Sequence, residues 1–319
     1  MTCLTRKECA MPRLPRMVQT DSGQKAVYHV ISRTALDGLP FKDFEKEELV
    51  SIIRHFSCIY AVEVLGYAIM GNHFHLLVEM HPASSLTDDD VKRRFSLLQR
   101  KETPFPETLM EKYRERFSSL SQYMKDIKQT FSHRFNKRHK RRGTLWGERF
   151  KSVMVEKGST VINCLAYIDL NAVRAGIVKR PEEYRWCSIG YHSQTGNRWA
   201  FLSTNFGLEE FGVEEKERLK QYRKYLYHVG AMDKHGKIRI SREDLERAES
   251  DDFELNRVKR FRLRTRYFTD SGAIGSRAFI EGMFHKYKDR FDWKRSRVPK
   301  PVSGVDGMYS MKRLGEIRS

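Results

Sequence analysis

The sequence predicts an α+β fold, an antiparallel sheet with packed helices. Two observations carry this prediction. Between residues 25 and 178, stretches of two-residue hydrophobic alternation are interleaved with stretches whose apolar residues recur at three and four, in the order strand, helix, strand, strand, helix, strand, helix. The second and third strands are joined by only a few residues, a connection that antiparallel neighbours make and parallel ones cannot.

Each element has its own signal. In QKAVYHVISRT (24–34), Val27, His29 and Ile31 alternate with Tyr28, Val30 and Ser32, which predicts a strand. DFEKEELVSIIRHFSCIYAVEVL begins as a helix, with Leu49, Ile52, Ile53 and Phe56 on one face, and passes into a strand containing Val62, Val64 and Leu65. YAIMGNHFHLLVEM (67–80) closes a hairpin with it. Residues 83–118 are polar, charged and helix-prone, broken by Pro104 and Pro106, and are expected to form a helical insertion. A longer helix from about 119 to 139 carries the stripe Leu120, Tyr123, Met124, Ile127, Phe131 and Phe135, and Gly143 ends it. TLWGERFKSVMVE (144–156) reads as a strand, and GSTVINCLAYIDLNAVRAGIV (158–178) as a helix capped by Ser159 or Thr160 and stopped by Gly176.

Outside this unit the composition changes. Residues 1–24 form a basic leader expected to be flexible. Residues 205–298 are expected to be a helical, basic C-terminal domain, and 299–319 a disordered tail.

The 319-residue chain carries 60 Lys and Arg against 41 Asp and Glu, a formal charge of +19. Such an excess favours a polyanionic partner, because neutralising phosphates releases counterions. No run approaches the roughly 20 apolar residues of a membrane span. The N-terminal residues lack an apolar signal core. Cys3, Cys9, Cys58, Cys164 and Cys187 are odd in number and lack zinc spacing, so they read as reduced thiols of a cytoplasmic protein with no membrane partner.

The chemistry is carried by HFH. Side chains two apart on a strand share a face, so His73 and His75 project together while Phe74 enters the core. Adjacent imidazoles repel when protonated, whereas neutral imidazoles ligate a divalent cation between them. The plainer reading is one surface and one hydrogen-bonded core histidine. Farther on, Tyr167 and Asn171 lie one helical turn apart. The amide oxygen of Asn171 can complete a metal site, and the Tyr167 phenol can then reach a phosphate on that metal. Tyr123 also lies on a helix after the histidines, but its neighbour one turn on is Ile127, which binds no metal. Tyr123 is expected to be a core residue and Tyr113 a surface residue.

These residues have a family look. GNHFHLLVE resembles the histidine-hydrophobe-histidine motif of HUH single-strand nucleases. GTLWGERFKS, CLAYIDLNAVRAGIV and YRWCSIGYH, in that order, resemble the single-tyrosine IS200-like transposases, and most of all their REP-associated group. RTRYFTDSGAIGSRAFIE resembles a segment that follows the catalytic domain in longer members of that group. The resemblance implies a transposase domain over about 25–200 with a ferredoxin-like sheet. It implies His73, His75 and Asn171 as ligands of Mg²⁺ or Mn²⁺, and Tyr167 as the nucleophile that forms a 5′-phosphotyrosine on single-stranded or hairpin DNA. Either a monomer or a homodimer is compatible with it.

A DNA contact is expected at the basic helix end, through Arg134, Lys137, Arg138, Lys140, Arg141 and Arg142, with Arg149 and Lys151 in the next strand. The plainer reading is a solvated helix end whose cations favour the dipole. Trp146 reads as either a base-stacking or a core residue. A second expected patch is Arg257, Lys259, Arg260, Arg262, Arg264 and Arg266, ahead of a segment that reads as the turn and second helix of a helix-turn-helix-like unit. Three function classes share this charge: a metal-dependent strand transferase acting through Tyr167, a domesticated module that binds palindromic DNA without cutting it, and a phosphodiesterase that uses water.

Overall fold

The computed structural model describes residues 23–99, 103–197, 200–204, 214–231, 240–250, 272–287, 299–301 and 307–311. Residues 1–22 of the basic leader and the second arginine-rich patch, Arg257 to Arg266, lie outside the described residues.

Four strands make the centre of the sheet: β1 (Ala26–Arg33), β2 (Val62–Ile69), β3 (His73–Met80) and β4 (Lys151–Val155), in the spatial order β2-β3-β1-β4. Each neighbouring pair is antiparallel. With α1 (Asp43–Ile59) crossing from β1 to β2 and α4 (Leu120–Arg138) from β3 to β4, this is the ferredoxin-like order expected from the sequence. The α+β assignment holds.

Both crossover helices cover one face. Leu49, Ile52, Ile53 and Phe56 of α1 and the whole stripe of α4 are buried there against Tyr28, Val30, Phe74, Leu76 and Val78. The insertion packs on this same layer as α2 (Asp88–Leu98) and α3 (Met110–Phe117), with Pro104 and Pro106 between them. Arg94 of α2 donates to the carbonyls of Ile59 (3.0 Å) and Tyr60 (2.7 Å), satisfying the end of α1.

The other face carries α5 (Ser159–Asp169), the single turn α6 (Asn171–Arg174), α7 (Ser188–Thr195) and α8 (Glu215–Ala231). Val27, Leu77, Val153 and Val155 of the sheet meet Val161, Leu165, Ile168 and Leu226 there. A register shift between Val64 and Gly66 lets α5 come close to β2, and a Cβ on Gly66 would overlap Leu165 Cδ1 and crowd Ser188 Oγ.

Several boundaries differ from the sequence reading. The strand expected over 144–156 is confined to β4, because Leu145 and Trp146 are consecutively buried and break the alternation. Arg149 therefore lies before the strand, not in it. The helix expected over 158–178 pauses at Leu170 and resumes for one turn. The segment read as the turn of a helix-turn-helix is instead β5 (Ala273–Gly275), which pairs in parallel with β4. It precedes α10 (Arg277–Tyr287), which buries Ile280, Met283 and Tyr287, while α9 (Arg242–Ser250) packs on α8. The tail contributes β6 (Lys300–Pro301) and β7 (Tyr309–Ser310), which continue the sheet. Strands this short carry no readable alternation. No helix among the described residues is long and apolar enough to cross a membrane.

Candidate active site

His73 and His75 lie on the face covered by α5, with ring centroids 5.1 Å apart, while Phe74 packs against Trp146 on the other side. β1 adds a third imidazole. His29 shares the face of His75, with ring centroids 5.2 Å apart and Nε2 3.0 Å from His75 Nδ1. Tyr167 descends onto this group from α5. Its ring stands edge-on to His75 at 5.7 Å and to His29 at 5.9 Å.

The position of α5 is held from beneath and behind. Asp169, fully buried, accepts from Ser188 Oγ (2.7 Å), the backbone N–H of Ile189 (3.1 Å) and the Tyr222 hydroxyl (2.8 Å). Burial raises its carboxyl to about 6, against the pull of these three donors. Tyr225 of α8 donates to Asn163, and Arg223 and Tyr227 bind Glu182. Arg174 lays its guanidinium over the Tyr167 ring at 4.4 Å and donates to the Tyr167 carbonyl.

Burial first, and neighbouring positive groups second, push the imidazoles of His73 and His75 toward the neutral form. Burial, with a smaller contribution from Arg33, lowers His73 to about 4. His75 is driven well below its ordinary value by burial first, then by His29, His73, Arg174 and Arg33. Neutral imidazole is the form that ligates a metal. Asn171 spends its amide nitrogen on the carbonyls of Tyr167 (3.2 Å) and Ile168 (3.1 Å), which leaves Oδ1 as its remaining donor atom. Two neutral imidazoles and an amide oxygen are a chemically suitable set for Mn²⁺ or Mg²⁺, the nitrogens favouring Mn²⁺.

A second group of ligand-type side chains, Glu63, Glu79 and His81, lies at the other end of the same strands. Its carboxylates already have cations. Lys25 sits 3.2 Å from Glu63 and 3.5 Å from Glu79, and Lys157 sits 2.5 Å from Glu79. We assign it as an ion-pair network.

The rival tyrosine is on the wrong side. Tyr123 is fully buried in the α1/α4 layer, hydrogen-bonded to Ser57 at 3.0 Å, with its phenol raised by burial. Tyr113 packs between Phe95 and Phe117. Trp146 is a core residue, donating to the carbonyl of Lys128 at 3.1 Å, so the base-stacking alternative falls.

The basic helix end sits on the opposite layer from the histidines but at the same end of the sheet. The loop leaving α4 pairs with the end of β1, Gly147 N–H donating to Arg33 at 3.1 Å. Lys137, Lys140, Arg142 and Arg149 are exposed. Arg134 and Arg138 are partly spent on Glu45 and Glu48, Arg138 at 3.5 and 3.0 Å, and Arg141 donates to Asn136 at 3.1 Å. Lys151, exposed, stands opposite Ile31 on the histidine face. Arg33, exposed and directly opposite His73, has no ion-pair partner among the described residues.

Sequence reasoning missed His29, Asn72, Arg33 and Arg174. His29 and Arg33 share the two-residue phase of β1, which was visible, but the β1–β3 register that brings them to the histidine pair was not.

Residues 22–114 match the family model described as Transposase IS200 like. The motif resemblance is borne out at the level of the IS200-like transposases. The matched segment contains β1, α1, β2 and β3, and so all three histidines, while Tyr167 and Asn171 lie beyond it. A solved structure of a REP-associated tyrosine transposase bound to a REP hairpin is similar at 12% identity and a TM-score of 0.37, covering 54% of this chain and 81% of that one. No curated protein matches.

Proposed function

We propose that this protein is a metal-dependent single-strand DNA endonuclease and strand transferase, with Tyr167 as its nucleophile. The observation that carries the reading is the approach of Tyr167, from a helix far along the chain, to the imidazoles of His75 and His29 at 5.7 and 5.9 Å. The family match to IS200-like transposases supports a DNA-processing role for the same site.

His73, His75 and Asn171 would hold Mn²⁺ or Mg²⁺, which supplies polarisation of the scissile phosphate and stabilises the departing oxygen. Tyr167 Oη attacks the phosphorus. The phenol gives up its proton as the new O–P bond forms, the bond from phosphorus to the 3′ oxygen breaks, the 5′ phosphate stays on the tyrosine, and the 3′ oxygen takes up a proton, directly or through water, and leaves as a hydroxyl. The reverse attack by a 3′-hydroxyl rejoins or transfers the strand without an added energy source, because the phosphodiester energy is kept in the tyrosine link. Arg174, stacked on the Tyr167 ring, fixes its approach. Arg33 and Lys151 supply cations at the open edge. Hairpin-flanking single strands are the proposed substrate, with the basic end of α4 holding backbone phosphates.

The test is incubation with Mn²⁺ and end-labelled single-stranded DNA from palindromic repeats beside the gene. A labelled band at protein mass, absent in Tyr167→Phe and His73→Ala, is expected. Undiminished cleavage by Tyr167→Phe would refute the nucleophile. Hairpin binding with neither adduct nor cleavage by the wild type would leave the module that binds without cutting.

A further inference from the structure

We propose that His29 and Asn72 are positioning residues that fix the tautomers of His75 and His73, so that both rings carry their lone pair on Nε2. The inference rests on the reading of the histidine pair as a metal site, and adds how that site is made competent.

At His73 the donors and acceptors decide the tautomer. Asn72 Nδ2 donates to the carbonyl of Gly38 at 3.2 Å, a contact that only its N–H₂ can make. Its other atom, Oδ1, therefore faces His73 Nδ1 at 2.8 Å. An amide oxygen only accepts, so the proton lies on His73 Nδ1. A neutral ring has one such proton, and Nε2 is left bare.

His75 has the same arrangement with a different acceptor. Its Nδ1 lies 3.0 Å from His29 Nε2, and one of the two nitrogens carries the proton. If it is His29 Nε2, His75 must protonate Nε2 and is closed to a cation. If His29 is protonated on Nδ1 instead, its bare Nε2 accepts from His75 Nδ1, and His75 Nε2 is open. His29 is fully buried, so no bulk water replaces it as the acceptor. Partners of this kind orient ligating histidines, and their loss weakens metal binding about 10–100-fold. With His29 protonated on Nδ1, His73 and His75 both present Nε2, each held by a side-chain acceptor at Nδ1.

Two measurements test this. In the metal-free wild type, ¹⁵N-resolved NMR of the histidine rings should find His73 and His75 both protonated on Nδ1. Mn²⁺ affinity, followed by electron paramagnetic resonance titration, should fall at least 10-fold in His29→Ala and in Asn72→Leu, and recover in His29→Gln, whose side-chain oxygen can accept. An Nε2-protonated His75, or wild-type affinity in His29→Ala, would overturn the proposal. A wild type that binds Mn²⁺ no better than His73→Ala would instead sink the metal-site reading, while the NMR result still judges the tautomers.

Discussion

His75 and Tyr167 meet across the sheet–helix interface with ring centroids 5.7 Å apart and ring planes at 86°. One stands on a central strand and the other on a helix whose position is set by contacts far from either ring. Much of the surrounding structure serves that approach, and it can be perturbed piece by piece.

Gly66 is the closest such piece. It sits at the irregularity of β2 where α5 comes nearest, and a Cβ would drive into Leu165, two residues before Tyr167. Gly66→Ala should cost about 1–3 kcal/mol of stability by overpacking. It should also slow adduct formation at least tenfold, since small misplacements of reacting groups are expensive. Denaturant unfolding and single-turnover kinetics would check both. Unchanged kinetics would mean that α5 tolerates the displacement.

Tyr222 braces the same helix from the C-terminal segment. Its hydroxyl is one of three donors to buried Asp169. Tyr222→Phe should destabilise by about 1–2 kcal/mol, because the carboxylate loses a partner it cannot replace with water. Hydrogen exchange should rise in α5 and α8 together. A rise confined to α8 would show that the brace does not reach the tyrosine helix.

Much of this frame was legible in the sequence. The stripes of α1 and α4 were readable because a three-to-four repeat survives over many residues, and every residue named on them is buried. The shared face of His73 and His75 follows from strand period alone. What was not legible depends on register and on breaks. His29 faces His75 only because β1 and β3 pair with Ile31 opposite His75. Trp146 looked free to stack on DNA because nothing local says that Phe41, Phe74 and Phe131 surround it. The strands β6 and β7 are two residues each, too short for any pattern.

The histidine on α7 gives a pH dependence. His192 is buried, with Nδ1 unpartnered among the described residues, and desolvation lowers it from 6.5 to about 4. The unfolded chain takes up this proton first as pH falls. The stability linked to His192 is thus fully present above about pH 6.5 and is lost as pH falls toward 4, by up to about 3 kcal/mol. Comparing wild type with His192→Asn at pH 7 and pH 4.5 should show the variant losing less on acidification. Equal losses would place the titration elsewhere.

Salt dependence separates the cations of the α4 end. Lys137, Lys140 and Arg142 are exposed, whereas Arg134 and Arg138 are engaged by Glu45 and Glu48. Replacing the first three with alanine should reduce the slope of log affinity against log salt by up to about 2 for single-stranded DNA. Replacing Arg134 and Arg138 should change it by less than about 1. The reverse order would show that the glutamates release their arginines to DNA.

The most direct measurement is to find the atom that carries the DNA. After reaction with Mn²⁺ and a single-stranded substrate, the adduct is digested with protease and nuclease and mapped by mass spectrometry. A nucleotide phosphate is expected on Tyr167, in the peptide spanning Asn163 to Arg174. A phosphate on any other residue, or cleaved DNA bearing a free 5′ phosphate with no linked peptide, would contradict it.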